Sequence, residues 1–296
     1  MKRLTILMSA IFALLTVSCN NKSEEPQPDQ QTTAPVSVLV QDFSVSIEDF
    51  GTRASDLGSY DGVKAITLAF YDKEGNAKYK HTQLRGDATT YTQFGQFSLS
   101  LPLGTYTMVV LGHGLSNGEP AITLTSPTEA TFGDYPVRET LSATQQVTIA
   151  SSDAVSLSAT LSRIISKLQV ASSDLRDASV QKVRMTFAAG GKSFNPTTGL
   201  SLTDAGFSNT VAISSSAGEV SLSNSYLFLS ANEQTMDVTI ETLDADDKTL
   251  FSKTVKDVPF VRNRVTKLTG NLYTNESLSA SFQIDSDWLP NYEASF

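Results

Sequence analysis

The chain has 296 residues, a formal charge of −9 and hydrophobic residues at 40% of positions, enough to bury more than one core. An acidic chain without a basic stripe repels phosphate backbones, so nucleic acid is excluded as a partner. A single cysteine rules out a disulfide framework, and with only two histidines no transition-metal site is expected.

Met1-Lys2-Arg3, an apolar run from Leu4 to Val17 and then Ser18-Cys19 describe a secretory leader over 1–18, too short to span a bilayer. Cys19 stands where bacterial lipoprotein leaders carry the acylated cysteine, although Thr16 replaces the usual leucine. Each buried CH₂ contributes about 0.8 kcal/mol, so two or more acyl chains hold a protein on a membrane stably where one does not. Acylation of Cys19 leaves the mature chain with no thiol, and loss of Lys2 and Arg3 takes its charge from −9 to −11. Residues 19–35 are polar, carry three prolines and offer nothing to bury, which predicts a solvated tether.

From Val36 onward the pattern is that of strands. Alternation of period two runs through Phe97–Leu101, Val155–Leu161, Val220-Ser221-Leu222 and Leu278–Ile284, the last with Leu278, Ala280, Phe282 and Ile284 on one face. Turn signals at Asp61-Gly62, Glu74-Gly75, Leu103-Gly104, Ser116-Asn117-Gly118, Gly190-Gly191 and Asp244–Asp247 separate the runs. No helical repeat persists for a dozen residues. Many short strands between regular turns predict an all-β fold of antiparallel sandwiches. The run Arg163–Val170 opens a second set, giving β-sandwich domains over 36–162 and 163–296.

Candidate catalytic motifs fail on context. Gly114-Leu115-Ser116-Asn117-Gly118 matches G-x-S-x-G, but a strand-like run follows it, and His81 and His113 both precede the serine. Gly190-Gly191-Lys192-Ser193 has Thr186 where a phosphate loop needs its first glycine. Asp244, Asp246 and Asp247 lack the glycine and the terminal glutamate of a calcium loop. No enzyme and no cofactor are expected.

Several pieces in fixed order resemble the fimbrillin superfamily of Bacteroidota. They are Val36–Phe50 followed by Gly51-Thr52-Arg53-Ala54, Val63–Asp72 with Glu74-Gly75, Leu103–Tyr106 leading into Val109–Leu111, Leu161–Leu168, and Arg262–Gly270. The acidic Glu24-Glu25 behind Cys19 is similar to the surface-export signals of lipoproteins from the same bacteria. The resemblance implies two tandem transthyretin-like sandwiches in a fimbrial subunit that is delivered to the outer membrane and cell surface as a lipoprotein and contributes to adhesion. It further implies a trypsin-like protease cutting between Arg53 and Ala54, removal of the strand within Val36–Phe50, and filling of the vacated groove by a neighbouring subunit. Along the would-be first strand Val36, Val38 and Val40 share one face. After a shift near Gln41-Asp42 the apolar positions become Phe43, Val45 and Ile47, the pattern of a bulged strand.

Leu278–Ile284 is the candidate donor strand; its plainer reading is the last strand of the chain's own second domain. The expected partners are other fimbrial subunits, the processing protease, the membrane through the lipid, and a host protein or glycan. Two alternatives stand beside the shaft role: an anchor or accessory subunit that keeps its lipid, and a surface glycan-binding lipoprotein using Trp288 and Tyr292.

Overall fold

A computed structural model describes residues 31–45, 53–56, 60–87, 89 and 91–273, and among these there is no helix. The first half of the chain forms β1 (Thr33–Val45), β2 (Arg53–Asp56), β3 (Ala65–Tyr71), β4 (Ala77–Leu84), β5 (Gln96–Pro102), β6 (Gly104–His113), β7 (Thr123–Ser126), β8 (Glu129–Thr131), β9 (Thr140–Ile149) and β10 (Val155–Arg163). The second forms β11 (Ser166–Ser172), β12 (Lys182–Phe187), β13 (Ser193–Phe194), β14 (Phe207–Ala212), β15 (Leu222–Leu227), β16 (Glu233–Leu243), β17 (Thr249–Val261) and β18 (Val265–Gly270). The alternation read at Phe97–Leu101 and Val155–Leu161 becomes β5 and β10.

Each half is a sandwich of two layers. In the first, β4-β3-β6-β9 run antiparallel, and β5-β1-β10 lie opposite with β1 in the middle, antiparallel to β5 and parallel to β10. The layers join at one corner, where Ser162 and Arg163 of β10 pair with Ser142 and Leu141 of β9. In the second, β14-β12-β16-β17 face β15-β11-β18, and β11 is again central, antiparallel to β15 and parallel to β18. The seven sandwich strands of each half thus repeat one connectivity, although the sequence carries no visible repeat. The all-β reading and the sandwich architecture are both present in the structure.

Core composition follows from this layering. Val36, Val38 and Val40 of β1 meet Ile66, Leu68 and Phe70 of β3 and Met108 and Val110 of β6 in the first sandwich. Leu168, Val170, Val183, Phe187, Val238 and Phe260 are among the core residues of the second. A third cluster joins the halves: Ala69, Tyr71, Val109 and Leu111 pack with Phe132, Ile165, Phe194 and Phe228. Phe194 and Phe228 stack with ring centroids 4.1 Å apart, and β13 of the second half pairs with β8 of the first. Both faces of β3 are therefore covered, which is why Ala65–Tyr71 is buried at every position and reads as an apolar run broken only by Thr67 rather than as an alternation.

The hairpins follow local chemistry. Gly75 takes φ +84°, a conformation that costs glycine little, and the Asp72 carboxylate accepts the Glu74 and Asn76 amides at 3.0 and 2.8 Å. One pattern turns out inverted. At Val220-Ser221-Leu222 the two apolar residues point outward, 57% and 50% exposed, while Ser221, Ser223 and Ser225 are buried. Two of these serines find partners: Asn209 Nδ2 donates to Ser225 Oγ at 2.7 Å, and Ser221 bonds both Tyr273 and Ser172, whereas the Ser223 hydroxyl has no partner among the described residues.

Candidate functional site at the first strand

β1 has both edges occupied along most of its length. Thr33 to Leu39 pair with Pro102 to Gln96 of β5, and Val36 to Val40 pair with Val155 to Ala159 of β10. The register with β10 then skips one residue between Val40 and Asp42 and resumes through Ser44, while β2 takes over the other edge with Val45 opposite Arg53 and Ser44 opposite Ala54. The bulge falls at the position where the alternation of the sequence changes phase. Ala34, Val36, Val38 and Val40 are at most 2% exposed. Burying a valine contributes roughly 1.5–3 kcal/mol, so the three valines alone hold the strand by about 5 kcal/mol or more before backbone bonds are considered.

Of the residues singled out from sequence, Arg53 and Ala54 lie in β2, backbone to backbone with the end of β1. β2 forms the edge of its sheet, so one side of its backbone has no strand neighbour among the described residues. Cys19, the segment carrying Leu278, Ala280, Phe282 and Ile284, and the pair Trp288 and Tyr292 lie outside the described residues.

A buried polar knot sits where the halves meet, and no local pattern in the sequence announces it. Arg163 Nε donates to Glu139 Oε1 at 2.7 Å, Tyr60 Oη donates to the same oxygen at 2.5 Å, and Arg163 Nη1 donates to Asn263 Oδ1 at 3.1 Å. Arg163 and Glu139 are 8% and 9% exposed, and burial followed by the Glu139 charge pushes the Tyr60 phenol well above its usual value. Tyr60 follows β2 in the chain, so this knot fixes the start of everything downstream of Arg53 to both halves. Breaking one partner of such a pair costs more than the pair contributes, because a buried charge is left alone.

The motifs set aside on sequence grounds have structural roles. Ser116 lies in a turn whose amide donates to Glu119 Oε2 at 2.9 Å, and Glu119 in turn accepts from Arg138. His113 is fully buried: Nδ1 donates to Gly114 O at 2.8 Å, Nε2 accepts the Ile122 amide at 3.2 Å, and burial pushes the imidazole down to about 4. Gly190 donates its amide to Asp204 at 2.7 Å, in a turn. Asp244 accepts the Asp246 and Lys248 amides while Asp247 pairs with Lys182. Among the described residues no three His, Cys, Asp or Glu side chains converge as a metal site, and no helix is long and apolar enough to cross a membrane.

A sequence family described as a family of unknown function, DUF6562, matches residues 30–295. The chain belongs to that family. No curated protein matches it by sequence. Among solved structures, a candidate adhesin of Bacteroides ovatus aligns with TM-score 0.51 at 12% identity, over 88% of this chain and 96% of that one. The fimbrial anchor protein Mfa2 of Porphyromonas gingivalis aligns at 0.44 and 11% identity, over 85% and 95%. A Bacteroides thetaiotaomicron protein described as a candidate polysaccharide-binding protein aligns at 0.49 and 10%, over 85% and 96%. At these identities the likeness is one of fold. The sequence match is to the DUF6562 family.

Proposed function

We propose that this protein is a structural subunit of cell-surface fimbriae, exported as a lipoprotein through Cys19 and assembled by strand complementation once the bond after Arg53 is cut. The observation that carries the reading is the position of β1. It is the middle strand of a three-stranded layer, its apolar side chains fill the first core, and it is joined to the rest of the chain through β2 and Arg53. Loss of β1 would leave facing edges on β5 and β10 and an apolar trough between them, both costly in water. A strand from a neighbouring subunit would satisfy the edges along its length and fill the trough with alternate side chains. Because β1 is held by several kcal/mol, cutting alone does not empty the seat; an incoming strand must displace it. The segment Leu278–Ile284 is the proposed donor.

Amino-terminal sequencing of this protein from isolated fimbriae tests the reading, with Ala54 as the expected first residue. A blocked terminus at Cys19, with Arg53 intact, would instead establish the anchor role. Replacing Arg53 by Gln should leave the precursor uncut and keep it out of the polymer.

A further inference from the structure

A cleft of about 870 Å³ opens beside the corner where β9 and β10 join. The two strands are paired only at Ser142–Ser162 and Leu141–Arg163; beyond that point they diverge into opposite layers. The outward edges of β9 from Ala143 and of β10 before Ser162 consequently have no strand neighbour among the described residues. The far wall is the turn between β17 and β18. Asn263 holds this turn in place by taking φ 61°, donating its amide to Ile165 O at 2.8 Å and accepting from Arg163.

The chemistry of the lining is one-sided. Arg163, Arg262 and Arg264 line the cleft together with the exposed hydroxyl side chains Ser158 and Thr160, and neither a carboxylate nor an aromatic ring contributes to it. Of the three arginines only Arg163 has a carboxylate partner among the described residues. Arg262 donates one nitrogen to Thr198 O at 2.7 Å and keeps the rest of its fork. In a chain of formal charge −9, this is a positive recess with two free backbone edges.

We propose that the cleft receives an extended, carboxylate-rich peptide strand. Free edges select a polypeptide backbone, arginine forks select carboxylates, and the lack of an aromatic platform disfavours a sugar ring. The site exists with β1 in its seat, so the proposal stands or falls independently of cleavage at Arg53.

The test is fluorescence anisotropy of a labelled peptide of about six residues, a usual strand length, alternating Thr and Glu, titrated with the full chain. Its Thr/Gln analogue and a copy N-methylated on alternate amides serve as comparisons. Saturable binding of the Thr/Glu peptide is expected, with affinity about tenfold lower for the Thr/Gln peptide and lost on N-methylation. R264Q, which removes a charge that makes no hydrogen bond or ion pair among the described residues, should weaken binding by about tenfold while leaving the melting temperature unchanged; R262Q should weaken binding likewise but also lower the melting temperature, because it loses the bond to Thr198 O. Absence of binding, equal affinity for the Glu and Gln peptides, indifference to N-methylation, or wild-type affinity in R264Q overturns the proposal. Tighter binding of dextran sulfate than of the peptide also overturns it, because the cleft would then read polyanions rather than strands.

Discussion

His113 and Tyr71 show how single buried side chains set measurable properties. The folded state holds the His113 imidazole down to about 4, against about 6.5 in an unfolded chain, chiefly through burial. Its contribution is therefore complete above pH 6.5 and is lost as pH falls from 6.5 to about 4, because the unfolded chain takes up the proton first. The full swing is on the order of 3 kcal/mol. Urea unfolding at a series of pH values should show this loss, and H113Q should flatten that part of the profile. Tyr71 is 1% exposed, and its hydroxyl has no hydrogen-bond partner among the described residues. Burial pushes the phenol up to about 12. Removing an unpaired buried hydroxyl without changing shape is favourable, so Y71F should raise stability by about 1 kcal/mol in the same assay. A destabilised Y71F would mean that the hydroxyl has a partner.

At the scale of the element, β1 is the informative strand. Its phase change was legible in the sequence, since the shift from Val36, Val38 and Val40 to Phe43 and Val45 coincides with the bulge. The tight turn at Gly75 and the strands β5 and β10 were legible for the same reason: local chemistry decides them. β15 was not. Its alternation is plain, but the serines face inward, and Asn209 for Ser225 and Ser172 and Tyr273 for the preceding Ser221 supply partners from elsewhere in the chain. The proposed role of β1 yields a direct expectation. Chain cut after Arg53 and stripped of β1 in denaturant should refold only when a synthetic Thr33–Val45 peptide is added. The same peptide with Val38→Asp should fail, because a charge would enter a site that is 0% exposed. Recovery of the native near-ultraviolet spectrum without any peptide would refute the strand-replacement reading.

At the scale of the whole molecule, the third cluster makes the two sandwiches interdependent. Phe228 is fully buried, stacks on Phe194 of its own half and packs near Phe132 of the other. Calorimetry of the intact chain should show one cooperative transition. Phe228→Ala should cost about 3–5 kcal/mol and split the transition in two, as the halves lose the surface they share. A single peak in the variant, lowered but not split, would show that the Arg163–Glu139 knot, not the aromatic cluster, couples them. That knot and the cleft beside it were invisible in the sequence, because Tyr60, Glu139, Arg163 and Asn263 are brought together from across the chain.

By itself the sequence determined the all-β character, the turns, and in β1, β5 and β10 the faces that are buried. Only the tertiary structure decided that β1 lies between β5 and β10, that both halves repeat one connectivity, and that β9 and β10 part to leave a charged cleft. The physical reason is the two-fold period of a strand. Alternating side chains write the buried face into the sequence, whereas the edges are made of backbone, which is alike at almost every residue and does not name its neighbour.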